Sequence, residues 1–142
     1  MAAYADSVNG DTSVVSDTVI DARKSASGCE KVSLQAMTVK LSADLVIYAD
    51  GFQSVNGLKV NSADGRPHSL RIIVPGESST CTSGKGIALS AGTVVDPLIT
   101  SFLHAPSKVS IAGPSAFSGT IEAGCVQSNG AVTITSAETH HD

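Results

Sequence analysis

The sequence predicts a mainly β protein, and a parallel β-solenoid of short strands with one N-terminal α-helix is the favoured architecture. Three observations support this fold class. The strand-like segments are only about three to six residues long, they alternate simply between apolar and small polar residues, and strong apolar segments recur at roughly coil-length distances. An antiparallel β-sandwich is the alternative, but it usually has longer strands and several large aromatics. Here aromatics make up 4% of the residues and Trp is absent.

The N-terminal segment, residues 1–28, differs from the rest, and a helix is predicted over 13–26. Its apolar residues recur at helical spacing: Val15, Val19, Ala22 and Ala26. Asp11 or Ser13 could cap its start, and Gly28 could end it. This stripe is narrow, so the helix needs a surface to pack against.

The second predicted domain, residues 29–142, consists of short β-branched runs separated by turn residues. The predicted strand segments are 45–49, 58–60, 70–74, 87–90, 98–103, 108–111, 117–123 and 131–135. Four dipeptides predict turns, because glycine tolerates positive φ and an Asx side chain bonds the local backbone. They are Asp50-Gly51, Asn56-Gly57, Asp64-Gly65 and Asn129-Gly130.

The charge and hydropathy patterns exclude several classes of protein. Charged residues make up 15% and the net charge is −4, whereas a nucleic-acid partner usually selects a basic face. No apolar run is long enough to span a bilayer, so we expect no membrane segment in this chain. No signal peptide is visible either, and we expect the export segment to be absent from this chain.

No combination of residues in the sequence predicts catalysis, a metal or a cofactor. The carboxylates that could converge on one face are Asp44, Asp50, Asp64, Asp96 and Glu122. Most of them stand beside glycine or proline, where aspartate forms turns. No Ser–His–Asp, HExxH or paired-acid spacing occurs, so we expect a non-enzyme.

The remaining polar motifs have ordinary structural interpretations. Residues 83–86, Ser-Gly-Lys-Gly, lack the spacing of a phosphate-binding loop and predict a surface loop. The terminal His140-His141-Asp142 predicts a frayed tail with at most adventitious metal binding. His68 is expected to be solvated in a turn, and His104 is expected to hold a hydrogen bond at a corner.

Two stretches, 41–76 and 86–124, resemble an uncharacterised bacterial domain of type IV pilus-associated (PilX-like, minor-pilin-like) surface proteins. The matching features are a strand pair ending in Val-Pro at Pro75, a corner at Leu103–Pro106 and a Phe-x-Gly-x-Ile-x-Ala strand at Phe117–Ala123. The resemblance covers roughly residues 29–137. His104 stands where the family usually has Tyr. Members look like non-catalytic β-solenoids of the cell surface, and the resemblance implies that class.

The resulting functional hypothesis is a non-catalytic structural or interaction module outside the cell, pilus-associated or adhesive. Its partners would be other pilus or surface proteins, or a surface ligand. The alternatives are an intracellular scaffold that self-assembles as bactofilin-like proteins do, and a carbohydrate-active or carbohydrate-binding β-helix. The small number of aromatics argues against sugar stacking platforms.

The three cysteines predict one disulfide. A bridge between Cys29 and Cys81 would tie the junction after the helix to a long loop, which suits an exported protein. Cys125 would then remain free. Three reduced thiols in a cytosolic protein are the alternative.

Overall fold

The computed structural model describes residues 7–21, 32–75 and 86–136, which form one 13-stranded sheet. The strands are β1 (Ser7–Val14), β2 (Thr18–Asp21), β3 (Val32–Leu41), β4 (Leu45–Tyr48), β5 (Phe52–Ser62), β6 (His68–Ile73), β7 (Ile87–Leu89), β8 (Thr93–Val95), β9 (Ile99–Ala105), β10 (Val109–Ala112), β11 (Ser115–Ala123), β12 (Val126–Asn129) and β13 (Val132–Ser136). The described residues contain no helix.

Every pairing between these strands is parallel, and the pairings form three ladders. The first ladder holds the N-terminal parts of β1, β3 and β5, then β7, β10 and β12. The second holds the C-terminal parts of those long strands, then β8, the start of β11, and β13. The third holds β2, β4, β6, β9 and the end of β11. A mainly β fold with a many-stranded parallel sheet is therefore confirmed, and the antiparallel alternative is wrong.

The core consists of aliphatic side chains that stack in register between successive strands. In the third ladder one continuous column contains Ile20, Ile47, Ile72, Leu103 and Ile121. Its three central members are buried and its two end members pack against the core. Like residues on neighbouring strands bury one another at each step, so small β-branched residues are enough to build this core.

The predicted helix over 13–26 is wrong where the chain is described, because β1 ends at Val14 and β2 occupies Thr18–Asp21. The remainder of that prediction, 22–26, lies outside the described residues. Val15 and Val19, two members of the proposed apolar stripe, are 80% and 65% exposed. Ile20 instead faces the core and pairs with Ile47 of β4. Pairing with a distant strand thus outweighs a weak local 3.6-residue period.

Buried and half-buried serine hydroxyls support the bend between the first and second ladders. The Ser90 hydroxyl accepts a hydrogen bond from the Gly57 amide at 2.9 Å, and the Ser54 hydroxyl accepts one from the Ser90 amide at 3.0 Å. The Ser115 hydroxyl accepts one from the Thr93 amide at 3.2 Å. These hydroxyls accept hydrogen bonds from backbone amides that have no partner in the ladders at the bend. The bonds offset the free-energy cost of burying those amides.

Candidate binding face

Three of the carboxylates that the sequence singled out, Asp44, Asp50 and Asp96, lie at turns, and two of them bond backbone groups. Asp44 accepts a hydrogen bond from the Ser69 amide at 2.9 Å. Asp96 accepts bonds from the amides of Leu98 and Ser62, at 3.0 and 3.2 Å. Asp50 stands in the turn between β4 and β5. For Asp44 and Asp96 this is the turn-forming chemistry expected of aspartate, and these two carboxylates thus have structural roles.

His68 connects two of these turns and is not solvated as the sequence suggested. Its side chain is only 13% exposed, and Nε2 donates to Oδ1 of Asp64 at 2.9 Å. Nδ1 lies 3.8 Å from Oδ1 of Asp44. Asp64 also accepts from the Arg66 amide and the Ser62 hydroxyl. Among the described residues, no group of three or more His, Cys, Asp or Glu side chains could hold a metal ion.

This arrangement predicts a pH dependence of stability. The hydrogen bond from His68 holds the pKa of Asp64 below its ordinary value of 3.8, assisted by the Arg66 amide. A carboxyl whose pKa falls on folding stabilises the fold above its unfolded pKa and loses that contribution as the pH drops through the folded pKa. The Asp64→Asn variant should therefore lose less unfolding free energy than the wild type on acidification below about pH 4. Urea unfolding at several pH values across that range tests this. If the free energy of unfolding falls equally steeply with pH in both proteins, the prediction is contradicted.

The most distinctive side-chain cluster lies on the outward side of the third ladder. The Arg71 guanidinium carbon lies 5.7 Å from the centre of the Phe102 ring. The Phe102 and His104 rings stack with centroids 6.2 Å apart and planes inclined by 15°. Nδ1 of His104 lies 3.1 Å from Oε1 of Glu122. A cation, two stacked rings and an anion thus form one connected row across β6, β9 and β11.

Register places Tyr48 on the same surface. Tyr48 pairs with Ile73, which pairs with His104, which pairs with Glu122. Strands in a sheet are about 4.8 Å apart, so neighbouring side chains in this row touch or nearly touch. We call the surface formed by Tyr48, Arg71, Phe102, His104 and Glu122 the aromatic face.

The period-2 alternation of β9 explains why Phe102 and His104 point outward. Ile99, Ser101, Leu103 and Ala105 are buried, whereas the residues between them are exposed or half-buried. The predicted hydrogen bond of His104 is confirmed, and its acceptor is Glu122. The ring lies within the strand, two residues before the turn that begins at Pro106.

Sequence reasoning named His104 and Glu122 separately and missed Tyr48, Arg71 and Phe102. All five are outward positions of alternating strands, which is the signal that could have found them. That signal does not reveal which strands are neighbours, because turns of unequal length separate the members of the face along the chain.

Two clefts open away from the aromatic face. One of about 530 Å³ is lined by residues of β7, β10 and β12, including Gln127, Ser128 and Asn129. The other, of about 360 Å³, lies at the bend between the first and second ladders and is lined by Asn56, Lys59 and neighbouring residues. Neither lining contains a carboxylate, a histidine or a cysteine, although both contain hydroxyl groups and the second contains the Lys59 amine.

The other predicted sites lie mostly outside the described residues. These are Cys29, Cys81, the loop up to Lys85 and the terminal His140-His141-Asp142. Cys125, in the turn between β11 and β12, is disulfide-bonded, so the expectation that it stays free is wrong. Its partner is not among the described residues. Each cysteine forms one disulfide, so this bond competes with the predicted Cys29–Cys81 bridge.

Among the described residues, no helix is long and apolar enough to cross a membrane. Comparison with known protein families, curated proteins and solved structures found no match to this chain.

Proposed function

We propose that this chain is a non-catalytic interaction module of the cell surface, built as a parallel β-solenoid, and that it binds a saccharide through the aromatic face. The observation that carries this proposal is the connected row of Arg71, Phe102, His104 and Glu122 on one side of the sheet.

The solenoid architecture is supported by the order in which the chain visits its ladders. Each circuit adds a strand to the first, second and third ladder in turn, and the new strand runs parallel to its predecessor. Short corners and in-register core columns are what coil-on-coil stacking requires. Such stacking leaves long outer faces on which side chains repeat at a fixed spacing, which suits an extended ligand.

The chemistry of the aromatic face favours a saccharide. The C–H side of a sugar ring packs on an aromatic ring, while its hydroxyl groups need hydrogen-bond partners around that ring. Phe102 is half-buried in the sheet surface, so its ring is held in place. Arg71 and Glu122 supply a donor and an acceptor at the two ends of the row. Few aromatics in the whole sequence argued against sugar stacking, but the fold gathers Tyr48 and Phe102 on one side.

Placement at the cell surface and association with a pilus are supported by the family resemblance of residues 41–76 and 86–124. The same resemblance supports a role without catalysis. Immunogold labelling of intact cells tests this part of the proposal independently of any ligand. Signal on the surface or along pili would support it, and signal confined to the cytoplasm would overturn it.

Binding is tested with an array of acidic and neutral oligosaccharides, followed by titration of the best-retained one into the ¹⁵N-labelled chain. We expect amide shifts to centre on residues of β6, β9 and β11. Phe102→Ala should weaken binding on the order of tenfold, because it removes the stacking surface. Val94→Ala is the matched control, since Val94 is 48% exposed on the second ladder. Array silence, or shifts confined to another surface, would overturn saccharide binding at this face.

Arg71→Ala separates two kinds of sugar. If the ligand is acidic, loss of the guanidinium should weaken its binding more than that of the neutral analogue of the same length, because a charge-assisted bond is lost. Equal losses for both probes would mean that Arg71 acts through packing on Phe102 alone.

A further inference from the structure

The C-terminal end of the described chain exposes positions that are buried everywhere else in their columns. Val126 continues the column of Ile87 and Val109, and Ile134 continues that of Phe117. Val109 is 0% exposed and Phe117 is 4% exposed, whereas Val126 is 52% and Ile134 is 42% exposed. Among the described strands, β12 pairs only with β10, and β13 only with β11. This end therefore presents apolar side chains beside strand edges that another strand could join.

The opposite end differs. Val14, at the end of β1, is only 8% exposed, and Ile20 of β2 packs against the core. A head-to-tail contact would place the exposed C-terminal columns beside Val14, which is already buried, and Ile20, which already packs against the core. A contact between two C-terminal ends instead buries the exposed apolar side chains of both copies at once.

Charge supports the same partner. Residues 125–136, Cys-Val-Gln-Ser-Asn-Gly-Ala-Val-Thr-Ile-Thr-Ser, contain no charged side chain and no proline. Strand edges that avoid pairing with another chain usually carry charged side chains or proline. Under two-fold symmetry each residue near the axis faces its own copy, so any charge would oppose itself. A neutral, β-branched edge is self-complementary in this sense.

We propose that a second copy of this chain docks on this end, with the two β13 strands pairing antiparallel about a two-fold axis near Ile134. The contact uses the same patch on both copies, so it closes at a dimer and does not propagate into a filament. Only one short layer of each copy takes part, so the interface falls in the small class typical of weak, reversible association. This proposal is independent of the aromatic face and of its ligand.

Sedimentation velocity of the unreduced full chain over a wide concentration range tests the proposal. Free thiols are first alkylated with iodoacetamide, so that disulfide-linked dimers do not contribute. We expect the average mass to rise from monomer to dimer and then to stop. A monomer at every concentration, or assembly beyond the dimer, would overturn the proposal.

Two variants locate the contact. Ile134→Lys brings two cations together at the axis and should shift the protein to monomer, while Val94→Lys, a half-exposed β-branched residue on an inner strand, should leave dimerisation unchanged. Thr133→Lys, on the exposed opposite side of β13, repeats the test without altering a core column. If both β13 variants are folded by circular dichroism and still dimerise, the site is wrong. Slower amide exchange in 126–136 at high wild-type concentration is expected as well.

Discussion

Replacing Gly119 with alanine is expected to lower the free energy of unfolding by about 3–5 kcal/mol. Gly119 has φ of +153°, a conformation that residues with a Cβ rarely adopt. It pairs with Ser101 in the third ladder, and an added Cβ would overlap the Ser101 carbonyl group. Backbone atoms of a central strand cannot move aside without breaking their own ladder bonds. Strain and steric overlap therefore add, and urea unfolding of the variant measures their sum.

Two controls separate these contributions. Gly65 has φ of +74° with nothing within 4 Å of its added Cβ, so Gly65→Ala should cost only about 1 kcal/mol of conformational strain. Ser101→Ala should not rescue Gly119→Ala, because the overlap involves the backbone. On its own Ser101→Ala should be neutral or stabilising, since the buried Ser101 hydroxyl has no hydrogen-bond partner among the residues that the structure describes. A Gly119→Ala variant as stable as Gly65→Ala would show that β9 and β11 separate easily at this point.

Local patterns were sufficient to predict segments of eight strands, but they did not predict β1, β2, β3, β8 and β12 or the path of the chain. The runs at 70–74 and 98–103 fall on β6 and β9, because β-branched alternation and flanking turn residues are local signals. Asn56-Gly57 was predicted as a turn, yet β5 continues through it. Both residues have positive φ, and the opposite strand accommodates them with Ala36 at φ +47°. A bend of this kind depends on the partner strand, which the segment itself does not specify.

The helix was wrongly predicted and the aromatic face was missed for the same physical reason. Whether Val19 lies on a helix stripe or a strand edge is decided by Val46, its partner in β4. Whether Phe102 lies near Arg71 is decided by the register of β6 against β9. These pairings are non-local, and turns of unequal length hide them from any fixed period. The side chains that form a surface could therefore be identified only once the register was known.

The disulfide of Cys125 is expected to join Cys81. Cys125 directly precedes Val126, which lies two ladder steps from Ile87 and four from Val32. At about 4.8 Å a step, these separations are roughly 10 Å and 19 Å. Cys81 precedes Ile87 by six residues, which can span up to about 20 Å, whereas the three residues from Cys29 to Val32 span at most about 10 Å. A disulfide brings its Cα atoms within about 7 Å, so Cys81 reaches easily and Cys29 only if fully extended along the ladder.

Closing a loop of about 45 residues should stabilise the fold by about 4 kcal/mol on the chain-entropy account. Cys81→Ser and Cys125→Ser should each lose that amount in urea unfolding under oxidising conditions, and Cys29→Ser, the matched control, should lose little. Peptide mapping of the unreduced protein by mass spectrometry should yield a Cys81–Cys125 cross-link and an alkylated Cys29. A Cys29–Cys81 cross-link would restore the bridge predicted from sequence. A Cys29–Cys125 cross-link would mean that the residues between Cys29 and Val32 extend along the ladder toward Cys125. Either cross-link would refute the assignment of Cys81 as the partner of Cys125.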